Sequence, residues 1–305
     1  LLLGLLIVLV WQFDFIARAL GLLGRLSLVV IAAALVLQLS LWAIQVHVWR
    51  ETLHAVSGRR IRWRAGLAHL AAVVLGKYLP GKVWGMAARG GALLAEGDDT
   101  ATVVRATLYE QSMIVATAGL VTLSALLLSS PHVSEYMAVG VSLAGFLILV
   151  WLLGPFAALF DRLLRLLSGK RHGSSNPLQK IVGSKTRALL IALQSLAWIV
   201  QGLIVLLFAG SLGISIRSSG LEIVGANAAA AVAGFIAIFA PAGIGIREAS
   251  FVAFLQGAID IEVLAVVALL VRVWSVLADL MLGFAAVWLG ILDRSEWMRG
   301  ARRRS

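Results

Sequence analysis

Residues 26–48 carry no charged side chain, and Gln38, Gln45 and His47 are their only strongly polar members. As a helix this run is about 35 Å long, enough to cross a hydrocarbon layer of about 30 Å. Comparable runs recur at 105–129, 137–156, 188–209 and 263–289. In lipid every backbone amide needs an internal partner, so only helices and closed barrels can span. The runs are continuous rather than alternating, which excludes a barrel. The chain is therefore expected to be an all-α polytopic membrane protein. Composition agrees: of 305 residues 61% are hydrophobic and 13% charged. Mean hydropathy is +0.97.

Two apolar stretches are broken where a helix should continue. Residues 76–89 read GKYLPGKVWGMAAR, and Pro80-Gly81 interrupts them. Residues 239–248 read FAPAGIGIRE, with Pro241 followed by Gly243 and Gly245. Proline removes an amide donor and clashes with the preceding turn, whereas glycine accepts any backbone angle. Such breaks persist in a membrane only where protein or a water-filled cavity satisfies the freed groups. Cations accompany both: Lys77, Lys82 and Arg89 in the first, Arg247 in the second. Gly85 adds flexibility to the first.

The basic residues set the expected topology. Most of the 26 Lys and Arg fall in 50–64, in 161–187 and after 290, whereas the opposite connections hold Arg18, Arg25 and Arg217. The first group is expected on the cytoplasmic side. Each broken region must then return to the side it left: 65–97 enters from the cytoplasm, 221–261 from the exterior. Residues 1–13 are too short to cross; they are expected to be the remainder of a first span whose front is missing, with a signal peptide as the rival reading. The expected architecture is six full spans plus two re-entrant helical hairpins in one transmembrane domain, 1–305. Pro80 and Pro241 lie 161 residues apart. The same offset carries the second span onto the fifth and the third onto the sixth. The pseudo-repeat halves, 1–130 and 136–291, have inverted topology, and 292–305 form a basic cytoplasmic tail. Inverted repeats with matching helix breaks are a transporter architecture with the site near the midplane.

The pair of motifs, YLPGKVWGMAAR and APAGIGIREASFVAFL, resembles the flippase-like integral membrane family, which includes the transmembrane region of lysylphosphatidylglycerol synthases. Residues 241–248 look like its P-G-G-I-G-x-R-E signature, with Ala242 in place of the first Gly. The resemblance implies movement of an anionic lipid between leaflets, either a phospholipid or aminoacyl-phospholipid, or a polyprenyl-phosphate-linked sugar. No soluble aminoacyl-transferase domain lies in this sequence, so synthase activity is not carried over.

Charges inside spans are costly, roughly 2.5–3.5 kcal/mol each on insertion scales, and are functional candidates by default. The expected substrate-binding set is Lys82, Arg89, Glu110, Arg247, Glu248, Arg272 and Asp279. Arg247 meets an anionic headgroup; Glu248 is its partner or a carboxylate at a helix start. Glu110 pairs with Lys82, Arg89 or Arg272. Arg272 and Asp279, seven apart, share a helix face and pair with each other or with a neighbouring helix. Lys77 is expected to snorkel to the interface. Trp11, Trp49, Trp151 and Trp288 read as interface anchors, while Trp84 and Trp274 pack against a hairpin or touch lipid. His69, Gln194 and other single polar residues read as interhelical hydrogen-bond partners.

No His pair has metal-ligand spacing, and Cys is absent, so no metal or cofactor is expected. The charge of +11 is topological rather than a nucleic-acid signature. The expected partner is a membrane lipid in a bacterial-type cell membrane. The protein is expected not to be an enzyme. Two alternatives stand beside translocation: an enzyme modifying a lipid phosphate, and a non-transporting partner of a glycosyltransferase or lipid synthase.

Overall fold

The computed structural model describes residues 26–79, 83–168, 182–237 and 240–288. These hold nine α-helices and no strand: α1 (Leu28–Ser57), α2 (Trp63–Gly76), α3 (Trp84–Ala95), α4 (Thr100–Ser129), α5 (Glu135–Ser168), α6 (Ser184–Ser211), α7 (Ile216–Ile236), α8 (Ile246–Leu255) and α9 (Ile261–Trp288). A 3₁₀ turn, Pro241–Gly243, precedes α8. Six helices are long and apolar enough to cross a membrane. Four of the predicted full spans coincide with α1, α4, α6 and α9, and the fourth span lies within α5. The expected first span and the basic tail lie outside the described residues.

Local chemistry sets the helix ends. Ser27 caps α1 by accepting the Val30 amide at 3.3 Å, and left-handed Gly58 closes it. Asp99 caps α4 by accepting the Thr102 amide at 2.7 Å. α1 runs past the predicted end of its span to Ser57, where Leu53 and Val56 continue its buried face into the core around Trp49.

α7 differs from expectation. It was read as a short hairpin arm, yet with 21 residues it joins the six helices of spanning length. Its first turn and a half, IRSSG, is polar. The apolar part, residues 221–236, is about 24 Å long.

Small residues bring the helices together, as membrane bundles require in the absence of a hydrophobic drive between helices. α1 packs on α6, and α6 on α7. α4 lies against α7, where a β-carbon on Gly225 would stand 2.7 Å from Ala125 Cβ. Thr122 donates across that seam to the Gly225 carbonyl at 3.1 Å. α9 lies against α2, where Gly283 receives Leu75. Each late long helix therefore covers the first arm of the other broken unit. The α1–α4 contact likewise has its counterpart in α6–α9. Large apolar side chains such as Leu147, Trp151, Phe284 and Trp288 face outward, as a bilayer-embedded surface demands.

Both broken units close on themselves. Arg59, ahead of α2, bridges Glu96 and Asp98, beyond α3, at 2.5 Å each. Ile214, ahead of α7, and Ile259, beyond α8, pack into one apolar cluster.

Candidate functional site

The late break is built by backbone geometry. α7 ends at Ile236, and Ala242, Gly243 and Gly245 take positive φ before α8 begins. The arms then touch: a β-carbon on Gly243 would lie 3.0 Å from Gly234 Cα, so no side chain fits between them. The expected break residues Pro241, Gly243 and Gly245 therefore do form the break. Pro80, Gly81 and Lys82 lie outside the described residues. The early arms meet at Gly85, where a β-carbon on Gly76 would stand 2.2 Å from Gly85 Cα.

The late break meets the chain just after α2. The Ala242 amide donates to the Lys77 carbonyl at 2.9 Å. α9 ties both from one face, as the seven-residue spacing of its charges foretold. Arg272 Nη1 donates to the Ala242 carbonyl at 3.1 Å and lies 3.7 Å from Glu248 Oε1. Asp279 Oδ2 accepts from Lys77 Nζ at 2.6 Å and from Tyr78 Oη at 2.5 Å. Lys77 thus does not snorkel: a carboxylate within reach holds it. Glu248 accepts the Gly245 amide at 2.7 Å, which is the helix-start role weighed from sequence.

Between α6, α7, α8 and α9 lies a narrow cleft. Asn227, Arg247, Glu248, Arg272 and Ser275 supply its polar wall; Val205, Phe251 and Val271 are among its apolar residues. Asn227 is 2% exposed, and its Oδ1 accepts from Arg247 Nη2 at 3.1 Å. The other end of that amide, Nδ2, has no hydrogen-bond partner among the described residues, nor has Arg272 Nη2.

Arg89 and Glu110 join each other instead. Arg89 Nη2 reaches Glu110 Oε2 at 2.5 Å, and its guanidinium lies 3.6 Å from the centre of the Trp49 ring. Gln111 adds a donor to Glu110 at 3.4 Å. Of the cations weighed for Glu110, Arg89 is the partner. Trp49 is no interface anchor: α1 continues beyond it, and the side chain is 2% exposed. Its indole donates to His69 Nδ1 at 3.0 Å. Trp274 packs inside, donating to Gln38 and meeting Phe208 edge-on.

Four of the expected site residues, Arg247, Glu248, Arg272 and Asp279, are thus brought to the two breaks, and Arg89 with Glu110 form a second cluster. Sequence reasoning missed Asn227, although it is the one amide side chain in α7, within the small-residue run GANAAAA. It also missed Tyr78, whose place two residues before Pro80 was the available signal.

A bundle with six helices long and apolar enough to cross a membrane, and two arginines lining a cleft beside the late break, defines a multi-pass membrane protein. The chain belongs to the family described as the lysylphosphatidylglycerol synthase TM region, which matches residues 1–283. No curated protein matches it.

Proposed function

We propose that this protein translocates an anionic lipid, a phospholipid or a polyprenyl-phosphate-linked sugar, across a bacterial-type cell membrane. The lipid leaves chemically unchanged, so the protein is not read as an enzyme. One observation carries the reading: a cleft beside the late break is lined by Arg247 and Arg272, with Asn227 bonded to Arg247, next to apolar residues such as Val205, Phe251 and Val271. Guanidinium groups suit phosphate oxygens, and the apolar wall suits the glycerol and first methylenes of an amphiphile.

The re-entrant and inverted arrangement belongs to the same proposal. The Arg59 bridges return the early unit to its starting level, and the Ile214–Ile259 cluster does the same for the late one. The reciprocal packing of α4 on α7 and α9 on α2 is what a two-fold axis in the membrane plane produces. The basic loops and tail are then cytoplasmic.

Two measurements test this. Purified protein in liposomes should move labelled anionic lipid between leaflets, and Arg247→Ala should abolish that movement without unfolding the bundle. Liposomes with wild-type protein that behave like empty ones across the candidate lipids sink the proposal. For topology, a protein with no native Cys permits clean labelling. Cysteines at Ser218 and Gly257 should react from one side, and those at Arg60 and Thr100 from the other. Opposite labelling of Ser218 and Gly257 would overturn the late hairpin.

A further inference from the structure

α2 ends at Gly76, and Lys77, Tyr78 and Leu79 run on as a turn. The turn's own bonds are long: the Tyr78 amide reaches the Leu75 carbonyl at 3.3 Å, and the Leu79 amide the Gly76 carbonyl at 3.2 Å. Gly76 is pinched against Gly85, so the chain is fixed up to that point and can swing only beyond it. Leu79, at the end of the turn, is 52% exposed. Three shorter bonds hold the turn down. Asp279 Oδ2 accepts both Lys77 Nζ, at 2.6 Å, and Tyr78 Oη, at 2.5 Å. The Lys77 carbonyl accepts the Ala242 amide at 2.9 Å. Two of the three therefore end on a single carboxylate oxygen.

The turn is also under load. Lys77 lies within electrostatic reach of Arg247 and Arg272, two like charges that push it away from the late unit. Partly buried charges are screened little, so this push persists at ordinary salt. Asp279 is the negative charge that offsets it. Glu248 does not stand in for Asp279: it accepts the Gly245 amide at 2.7 Å and lies 3.7 Å from Arg272.

We infer that residues 77–79 form a spring-loaded strap: Asp279 pins it on the late break against repulsion from Arg247 and Arg272, and loss of that one negative charge lets it lift. Asp279, expected from sequence to bind substrate, is then the latch of a moving part. The strap lies on Ala242, whose carbonyl Arg272 holds at 3.1 Å. Lifting the strap uncovers the late break and leaves the hold of α9 on it in place.

Double electron–electron resonance on the full chain in lipid nanodiscs tests this. The sequence has no Cys, so Leu79→Cys on the strap and Leu221→Cys near the start of α7, both at exposed positions, take spin labels cleanly. The labelled protein should give one narrow distance. Asp279→Asn keeps an oxygen for Tyr78 but removes the charge, and should raise a displaced population about tenfold, the weight of one charge-assisted bond. Adding Lys77→Gln to that variant takes away the repelled charge and should restore the single distance. Adding Arg247→Gln instead should restore it in part. A distance unmoved by Asp279→Asn overturns the inference. So does a double variant with Lys77→Gln that stays as displaced as Asp279→Asn alone, because the carboxylate would then be a plain tie with nothing pushing against it. No response to Arg247→Gln removes the spring in the same way. Should Asp279→Asn alone fail to fold, the double variant with Lys77→Gln should fold and keep the narrow distance, and its failure to do either sinks the strap. Lipid movement plays no part in this readout, so the strap and translocation stand or fall separately.

Discussion

The early and late broken units share a frame and put it to opposite use. Each has a first arm, a break, a short second helix, and a glycine pair nine residues apart where the arms touch: Gly76 with Gly85, Gly234 with Gly243. Each second helix carries an arginine. Arg89 is 2% exposed, bonded to Glu110 and laid on Trp49. Arg247 is held by the neutral amide of Asn227 and lines a cleft. The early arginine has a carboxylate partner, whereas the late one is bonded to a neutral amide. A repeated frame therefore need not repeat its chemistry: the partner residue on a neighbouring helix decides.

This contrast breaks most sharply at the ion pair. Removing one member of a buried pair strands the other, at a cost of about 3–5 kcal/mol. Glu110→Ala and Arg89→Ala should each lower stability by about that much in thermal unfolding in detergent. Arg247→Ala leaves behind an amide rather than a charge, and should cost about 1–2 kcal/mol while abolishing lipid movement. Equal destabilisation by Arg247→Ala and Arg89→Ala would remove the distinction between a locked and an available arginine.

The glycine pairs give a smaller difference. An alanine at Gly76 drives its β-carbon to 2.2 Å from backbone, which nothing flexible can relieve. At Gly234 the nearest atom is Arg247 Cβ at 3.2 Å, a contact that a backbone shift of about a few tenths of an ångström relieves. Gly76→Ala should cost about 3 kcal/mol and Gly234→Ala about 1 kcal/mol, spanning the usual range for overpacking. Similar losses at both positions would mean that the two pinches are equally tight in the working protein.

How much of this was legible in the sequence follows from what each feature depends on. The long helices follow from uninterrupted apolar runs, and the breaks from Pro241, Gly243 and Gly245 acting on their own backbone. The shared face of Arg272 and Asp279 follows from helical spacing. Partner choice did not: that Glu110 takes Arg89 and Asp279 takes Lys77 depends on helix packing, to which one-dimensional spacing is blind. Trp49 was misjudged because a helix was ended where its apolar run ended. Gly76 and Gly234 went unnoticed because a glycine in an apolar helix looks the same whether or not another backbone crosses it.

The smallest effect lies at the one position where the breaks differ by a methyl group next to the proline. The early break reads Pro80-Gly81, the late one Pro241-Ala242. Ala242 has φ 50° and ψ 18°, in the left-handed region. An L-residue with a β-carbon is less stable there by about 1–2 kcal/mol, because the side chain crowds the following carbonyl. Glycine relieves that strain and gives back part of the gain through its greater freedom when unfolded, roughly 0.5–1 kcal/mol. Ala242→Gly should therefore stabilise the bundle by a net amount of under about 1 kcal/mol, seen as a small upward shift in unfolding temperature. The bonds from its amide to Lys77 and from Arg272 to its carbonyl belong to the backbone and survive the change. Lipid binding should stay unaltered. A loss of stability would instead mean that the methyl group packs usefully between the breaks, and that the late unit gains from alanine what the early one forgoes with glycine.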